Sequence, residues 1–505
     1  MTKYGKGIWG QFLYGSTSPQ DDSILWAVEI DWDNDEVYDG SNEASRLMDL
    51  EINRGTPQRL DSEGGGFLYQ SPGRLRLKLS NADDRFSPYN SSSPIYPVEE
   101  QRLIRVRNKH GSTGSYNNLF HGIISNIRTH GQGANAYCDI EAFDGVEILK
   151  NMIAYVGVKQ GYRIDQCMQE ILTAVNWPSY FGYDLGEAKN SQDYFWVTGE
   201  SAFDALFALN DAEYGDLAIM GDGSVKFLPR MARTASVATL TDDYFLRDGG
   251  FLLDRPSDTR RNYVSAQVYP RVYLSDKDIY TMQDKPKIKA GRSKNFIAEL
   301  KYNNRSVASY DSTGYTLTIT ANTAEDGSGS DISGDFSGVI VFKGSIAEIT
   351  ISNANASDGY IQSVTLNADC IDIPDVTSVY EDRSNGGTLR SLQILENKNF
   401  YSLDASQGYV SFVSSLLNNS SPGLTVQMEG RPDLQFGLDL LQRVTVNSVK
   451  KNISNELYKV AYIHHQFMQD TGQGVRSTFK LESAASADDY MVWDVDNWDQ
   501  ENWGY

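Results

Sequence analysis

The chain has 505 residues, 40% of them hydrophobic and 22% charged, which predicts several globular domains and excludes wholesale disorder. Lysines and arginines total 45 against 67 aspartates and glutamates, so the formal net charge is −22. This balance excludes the basic surface typical of nucleic-acid binding, and we expect no specific nucleic-acid partner.

The first part of the chain predicts an arm followed by a β domain. Residues 1–20 carry glycine–aromatic pairs about five residues apart, which indicates an extended arm or, equally, a frayed terminus. About six short strands with turn residues between them predict a β-barrel or sandwich over residues 21–150. In the run RLRLKLS, three leucines alternate with Arg74, Arg76 and Lys78, so the cations face away from the core.

The periodicity changes after residue 150. The run RIDQCMQEILTAVNW, residues 163–177, has an apolar stripe of helical spacing that stops at Trp177-Pro178. A second helix is predicted from Ser201, which with Asp204 resembles a capping box. A hairpin around Gly221-Asp222-Gly223 follows, so residues 151–232 are predicted to form a small α+β domain.

The remaining chain predicts a second β domain that is interrupted by an insert. Residues 233–285 and 374–485 are assigned to a second β-barrel with one helix, in the run GYVSFVSSLLNN. Between them, 286–373 is rich in Ser, Thr, Asn, Asp and Gly and alternates like a separate β-sandwich. The predicted fold class is therefore mainly β with α+β parts, in several domains.

The final segment, residues 486–505, is rich in tryptophan and acids. Trp493, Trp498 and Trp503 recur every five residues, a spacing that fits neither a helix face nor a strand face. We interpret the segment as an extended peptide whose indoles anchor it on a partner. The alternative is a solvated tail.

The acidic segment after the first predicted strand is the best candidate for a cation site. Carboxylates at alternate positions, Asp31, Asp33, Asp35 and Asp39, can converge on one Ca²⁺ ion where the backbone bends. An EF-hand is excluded because its sixth position is Glu36 instead of glycine. The alternative is a solvated acidic turn, and no other cofactor is expected.

No catalytic signature occurs in the chain, which is predicted not to be an enzyme. His464 and His465 are adjacent on a predicted strand, so they face opposite sides and cannot chelate one ion together. The three cysteines are far apart, and we interpret them as small buried hydrophobes. Neither a signal peptide nor an apolar run of about eighteen residues is present, so no stable membrane insertion is expected.

Two stretches of the N-terminal β domain are distinctive. Asn53-Arg54-Gly55-Thr56 ends one strand, and NADDRFSPYN, residues 81–90, follows the alternating strand, with SPIY shortly after it. This pattern resembles the N-terminal domain of minor tail proteins from long-tailed, siphovirus-type bacteriophages. The order of the later helices, the hairpin and the run GLDLLQRVTV, residues 437–446, is similar to that family as well.

The resemblance implies a baseplate hub or distal tail-tip protein made of β-barrel tube domains with α+β and β-sandwich additions. It implies a homo-oligomer, commonly a trimeric ring, in the virion after synthesis in the host cytoplasm. The implied partners are the distal tail protein, the tape-measure protein and tail fibre or receptor-binding proteins. An acidic lumen in such a ring would repel passing DNA.

Two other classes of protein remain as alternatives. The first is a carbohydrate-binding or carbohydrate-cleaving tail protein that acts on host surface glycans through the insert or the α+β domain. Cleavage of a glycosidic bond commonly requires a pair of carboxylates, and the sequence does not single out such a pair among its 67 acidic residues. The second is a secreted adhesin, which the missing signal peptide disfavours.

Overall fold

The computed structural model describes residues 24–38, 42–56, 71–111, 114–230, 232, 234–246, 249–254, 262–282, 284–309, 314–383, 392–418, 423–467 and 474–484. Over these residues the chain is mainly β, with several sheets and a few helices, so the predicted fold class is confirmed.

The N-terminal part is made of antiparallel strands. They are β1 (Ile24–Ile30), β2 (Leu47–Gly55), β3 (Arg74–Ser80), β4 (Leu103–His110), β5 (Asn117–His130) and β6 (Tyr137–Phe143). As the alternation predicted, Leu75, Leu77 and Leu79 of β3 are buried in a core shared with β2, β4 and β6. The cations between them lie on the opposite face.

The α+β domain follows directly. Its elements are α1 (Gly145–Asn151), β7 (Ile153–Arg163), α2 (Ile164–Ala174), β8 (Tyr183–Leu185), β9 (Ser191–Ser201), α3 (Ala202–Glu213), β10 (Asp216–Ile219) and β11 (Val225–Leu228). The hydroxyl of Ser201 accepts the backbone N–H of Asp204 at 3.0 Å, so Ser201 is the N-cap of α3. Strands β10 and β11 form the predicted hairpin.

The C-terminal strands complete the main sheet. They are β12 (Ser236–Thr241), β13 (Phe251–Asp254), β27 (Gly423–Met428), β28 (Arg443–Ser448), β29 (Ile453–Phe467) and β30 (Val475–Ser483), with helix α5 (Pro432–Gly437) beside them. Because β2 pairs with β29, the strands of the two predicted barrels form one 12-stranded sheet. Ten strands follow the path β1-β4-β5-β6-β3-β2-β29-β30-β27-β13, with β28 also paired to β29 and β12 paired to β28. No pairing among the described residues closes the sheet into a barrel.

Part of the predicted second β domain joins the α+β domain instead. Strands β14 (Tyr263–Val268), β25 (Thr377–Asp382) and β26 (Leu392–Glu396) form a three-stranded sheet covered by α4 (Leu403–Asn418). Val264 and Val410 lie in the same apolar core as Met168 of α2 and Leu206 of α3. Burial in this shared core explains why these elements separate from the main sheet.

The insert is a sandwich of a five-stranded and a three-stranded sheet with an additional two-stranded sheet, and it is longer than predicted. Its strands are β15 (Val272–Met282), β16 (Lys287–Ile288), β17 (Ser293–Glu299), β18 (Lys301–Tyr302), β19 (Arg305–Ser306), β20 (Ala308–Ser309), β21 (Thr316–Asn322), β22 (Phe336–Lys343), β23 (Ile346–Asn353) and β24 (Gly359–Asp372). Strand β15, assigned above to the host domain, pairs with β24 from Val272 to Met282. The insert therefore starts at Val272 and has its own core.

Candidate functional site

The acidic turn after β1 closes on the carboxylate of Asp31. This buried side chain accepts the backbone N–H groups of Asp35 at 3.1 Å and of Glu36 at 2.9 Å. Asn34 and Glu36 take left-handed backbone conformations, with φ of 62° and 67°, which bends the chain back over Asp31. Two of the four predicted cation ligands, Asp31 and Asp35, thus help to build the turn.

The bend brings three carboxylates together. One oxygen each of Asp31, Asp33 and Asp35 lies within 4.8 Å of the others, with Asp31 buried and the other two exposed. Hard oxygen ligands of this kind suit Ca²⁺. The fourth predicted ligand, Asp39, lies outside the described residues.

The acidic turn is connected to the α+β domain through Tyr38 and His121. The Tyr38 hydroxyl lies 2.8 Å from Nε2 of His121, and Nδ1 of His121 lies 2.7 Å from the carbonyl oxygen of Asp222 in the β10–β11 turn. Because a carbonyl only accepts, Nδ1 donates and Nε2 accepts from Tyr38. Burial lowers the pKa of His121, which keeps the ring neutral in this arrangement.

The exposed face of the main sheet carries charges of alternating sign from strand to strand. Arg76 of β3 lies 3.5 Å from Glu51 of β2 and 3.9 Å from Glu141 of β6. Arg74 also pairs with Glu141, at 3.3 Å. Lys78 lies over the ring of Tyr137, with its Nζ 3.9 Å from the ring centroid. Each cation of β3 therefore has an acidic or aromatic neighbour.

The same charged face continues on both sides of these three strands and contains a groove of about 290 Å³. On one side His464 of β29 lies 3.5 Å from Glu51, and on the other His130 of β5 lies 3.1 Å from Asp139. His465 points the opposite way into the core, where Nδ1 lies 2.8 Å from the Ser477 hydroxyl and burial lowers the pKa of His465 to about 3. The two adjacent histidines face opposite sides, as predicted.

The comparisons identify the architecture. Neither a family model nor a curated protein matches the chain. A tail protein from Neisseria meningitidis MC58 superposes with a TM-score of 0.51 at 11% identity, over 92% of this chain and 98% of that protein. The chain shares the fold of a tail protein. A 43 kDa tail protein of prophage MuSo2 from Shewanella oneidensis gives a TM-score of 0.48 at 10% identity, over 92% and 99% of the two chains. The fold assignment rests on the Neisseria protein, and the tail-protein resemblance drawn from the sequence is confirmed at the level of fold.

Within the tail-protein fold, the NADDRFSPYN motif holds its own turn together. The Asn81 side chain accepts the N–H of Phe86 at 2.9 Å, and Phe86 is buried in the N-terminal core. Asp83 pairs with Arg46 at 2.6 Å, and Arg85 pairs with the buried Glu43 at 2.7 Å. The motif residues therefore stabilise this turn within the fold.

The Arg54-Gly55 pair of the other motif lies where distant parts of the fold meet. The Arg54 side chain is 1% exposed and pairs with Asp439 at 2.7 Å, while Asp439 accepts the N–H of Gly221 at 3.0 Å. Gly55 has φ of +89°, and a Cβ there would lie 2.2 Å from the carbonyl oxygen of Ala461 on β29. This role of the pair was not predicted from the sequence, although a charged residue, Arg54, at the end of a strand with alternating apolar residues was a signal for it.

A second carboxylate, Asp144, lies beside Arg54 and is fully buried. Asp144 accepts the N–H of Val146 at 3.0 Å as the N-cap of α1. Burial raises the pKa of Asp144 to about 6, although two backbone N–H groups and Arg54 oppose the shift. A Cβ on Gly73 would lie 2.3 Å from the Asp144 carboxylate, so glycine is required for this close approach.

The remaining predicted sites divide into buried residues and residues outside the described part. Cys138, Cys167 and Cys370 are free and buried, as interpreted from the sequence. The predicted partner-binding residues Trp493, Trp498 and Trp503, together with the arm over residues 1–20, lie outside the described residues. None of the described helices has the length and apolarity needed to cross a membrane.

Proposed function

We propose that the chain is a structural component of a phage-type tail, a baseplate hub or minor tail protein at the tail tip. The observation that supports this function is the fold shared with the Neisseria tail protein over nearly the whole of both chains. The resemblance of the NADDRFSPYN segment to minor tail proteins points to the same part of the particle.

The main sheet has the properties required of a tube wall. One face is packed, while the other carries cations that neighbouring acids neutralise, such as Arg76 between Glu51 and Glu141. A lumen lined by such paired charges would not retain DNA phosphates, because it offers no surplus of positive charge. We assign this charged face to the lumen of a trimeric ring that continues the tail tube.

The proposed ring has partners on both sides and lies in the virion after synthesis in the host cytoplasm. The proposed partners of the ring are the distal tail protein, the tape-measure protein and tail fibre or receptor-binding proteins. The acid-flanked Trp493, Trp498 and Trp503 are proposed to dock on one of these neighbours, since tryptophan is enriched at the centres of protein interfaces.

Imaging of the purified full-length chain tests the ring. A closed ring with an axial channel in negative-stain images, with a mass of three copies by light scattering, is the expected result. A compact monomer at every concentration, alone and with the distal tail protein, would contradict the proposal.

Deletion of residues 492–505 tests the tryptophan segment. If the segment docks on a neighbour, melting of the isolated chain stays unchanged while assembly with the next tail component weakens. Each true anchor contributes about 1–4 kcal/mol to association. A lowered melting temperature would instead place the tryptophans in the core of the chain, and unchanged assembly would exclude a docking role.

We further propose that the chain has no hydrolase activity. Glu213, a carboxylate of the α+β domain, is buried and accepts the backbone N–H groups of Lys189 at 3.4 Å and Asn190 at 3.2 Å. This use of both oxygens supports a structural role. The test is polysaccharide cleavage by the full chain, and a cleavage activity that alanine at Asp193, Glu200 or Glu213 abolishes would refute the proposal.

We also propose that the acidic turn binds Ca²⁺ through Asp31, Asp33 and Asp35, with Asp39 as the fourth ligand. An ion that binds only the folded state adds RT ln(1 + [Ca²⁺]/Kd), or about 2.7 kcal/mol at one hundred times Kd. The melting temperature is therefore expected to rise from chelator to millimolar Ca²⁺, and to rise less in the Asp33→Asn, Asp35→Asn double variant. No Ca²⁺ dependence in the natural chain would exclude the site.

A further inference from the structure

The inserted β-sandwich carries a basic segment, residues 285–294, with the sequence KPKIKAGRSK. The segment holds four lysines, one arginine and no acid, in a chain whose net charge is −22. All five cations are exposed, whereas Ile288 between them is buried in the core of the insert. The segment therefore places a local positive charge on the surface of an acidic molecule, where it can attract an anionic ligand.

The backbone of the basic segment is fixed by two side chains that lie next to it. Asn353, which is buried, donates from its side chain to the carbonyl of Ile288 at 3.1 Å and from its backbone N–H to the carbonyl of Arg292 at 3.0 Å. One carboxylate oxygen of Asp358 accepts the N–H of Ala290 at 3.0 Å. A ligand would thus meet a preformed surface and would lose little conformational freedom in ordering it.

Most cations of the basic segment have no paired acid. The second oxygen of Asp358 lies 2.8 Å from Nζ of Lys287, and the other four cations form no ion pair with any described residue. The acids of the neighbouring β21–β22 loop hydrogen-bond within that loop, as Asp326 does to the Ser328 hydroxyl at 2.6 Å. Four positive charges therefore face solvent without a fixed counter-charge, and an external anion can pair with them.

The basic segment lies at the end of the insert opposite to the one that contacts the α+β domain. Strand β23 ends at Asn353 beside the segment and begins at Ile346, directly after a turn that contains Ser345. This turn contacts the α+β domain, where the N–H of Ser345 donates to the Thr198 hydroxyl at 2.8 Å. At about 3.3 Å per residue, the length of β23 separates the two ends by about 25 Å, which leaves room for a large ligand.

The chemistry around the cations distinguishes between classes of anionic polymer. No large apolar side chain is exposed over residues 285–295, whereas protein interfaces centre on aromatic residues and nucleic-acid bases stack on them. Asp326 lies close enough to Lys285 to interact with it, and such flanking acids repel a uniformly charged phosphate backbone. The exposed Ser293 and Asn295 offer hydroxyl and amide groups, which form hydrogen bonds with sugar hydroxyl groups.

We propose that the basic segment binds an anionic polysaccharide, a sugar polymer that carries carboxylate or phosphate groups. The cations pair with the anionic groups, and the polar side chains beside them hydrogen-bond to the sugar hydroxyls. The inference goes beyond the proposed structural role and does not rest on it, because the ring was assigned to the main sheet and the segment lies on the insert.

Substitution of glutamine for three unpaired cations of the basic segment tests the proposal. The variant is Lys289→Gln, Arg292→Gln, Lys294→Gln, and it leaves the buried residues that fix the segment unchanged. The matched control makes the same change in net charge at three exposed lysines elsewhere on the chain, and it is Lys398→Gln, Lys450→Gln, Lys451→Gln.

Biolayer interferometry measures binding of the full chain to immobilised polymers at about 0.15 M salt, where long-range attraction is screened. The probes are polygalacturonate, which carries carboxylates, and phosphomannan, which carries phosphates. Dextran is the uncharged polysaccharide, while DNA and polyglutamate represent the other classes of polyanion. Thermal melting checks the fold of each variant.

The expected result is that the natural chain and the control bind one or both anionic polysaccharides equally and do not bind dextran. The variant of the basic segment should bind at least about tenfold more weakly at an unchanged melting temperature. Absence of binding to both polysaccharides, or a variant that binds like the control, would overturn the inference. So would binding of DNA or polyglutamate as tight as that of the polysaccharides, because the segment would then recognise charge alone. These failures leave the ring proposal intact, since ring formation is read separately from images.

Discussion

Arg54 connects three segments that are far apart in the sequence. Its buried guanidinium pairs with Asp439, which in turn holds the N–H of Gly221, while Asp144 lies close by. Removing the partner of a buried charge is strongly destabilising, because the remaining carboxylates lose their counter-charge without regaining water.

The first prediction concerns this arginine. Arg54→Ala is expected to lower the free energy of unfolding by about 3–5 kcal/mol, as for other broken buried ion pairs. Arg76→Ala on the charged face is the matched control and is expected to change it by less than about 1 kcal/mol, because Arg76 is half exposed. Urea denaturation of both variants measures the difference, and equal losses would refute a special role for Arg54.

The second prediction concerns the pH dependence of stability. The pKa of Asp144 rises from 3.8 to about 6 on folding. The stability that the protonated carboxyl group contributes to the folded state is therefore fully present below pH 4 and is lost as the pH rises through 6. Asp144→Asn keeps an N-cap acceptor and removes this loss. At pH 7 the variant should therefore be more stable than the natural chain, by up to about 3 kcal/mol.

Thermal melting between pH 4 and pH 7 checks this expectation. The difference between Asp144→Asn and the natural chain should grow in favour of the variant over this range. A constant difference across the range would show that Asp144 does not titrate as the buried geometry requires.

At the scale of elements, local signals in the sequence predicted local structure. The apolar stripe and the Trp177-Pro178 stop predicted α2, and Ser201 predicted the start of α3. The alternation in β3 predicted both its buried leucines and its exposed cations. These features depend on residues a few positions apart, so the sequence contains what is needed to recognise them.

Pairings between distant strands were not predictable in this way. Asn53 and Tyr462 share a hydrogen bond in the β2–β29 pair although they are 409 positions apart. The alternation of residues along either strand does not indicate which strand is its partner. The same applies to β15, whose true partner is β24. For this reason the acids that pair with Arg76 were not predicted. The positions of Asp439 and Asp144 beside Arg54 were not predicted either.

The third prediction is that the insert can be removed. Val272 and Asp372 are opposite each other in an antiparallel pair, where Cα atoms are about 4.5–5.5 Å apart, so a short Gly-Ser linker can replace residues 272–372. Arg271 stays in the body with its partners Gln192 and Lys398. The deletion is expected to give a folded chain with unchanged cooperativity of melting, whereas aggregation of the shortened chain beside a well-behaved full chain would contradict an independent insert.

At the scale of the whole molecule, charge decides where copies can meet. The net charge of −22 opposes contact between copies, whereas the charged face of the main sheet, which we assign to the lumen of the proposed ring, pairs its cations with acids of the same copy. The contributions of exposed ion pairs to such contacts are small, so apolar burial should supply most of the association energy.

The last prediction follows from this division between long-range repulsion and short-range apolar contact. Raising the salt concentration from about 0.1 M to 1 M shortens the Debye length from about 10 Å to 3 Å, which screens the repulsion between copies and leaves apolar contact intact. Self-association measured by sedimentation velocity is therefore expected to strengthen with salt. Melting in the same series separates changes in folding from changes in association. Assembly that weakens steadily with salt would mean that ion pairs between copies, and not apolar contact, hold it together.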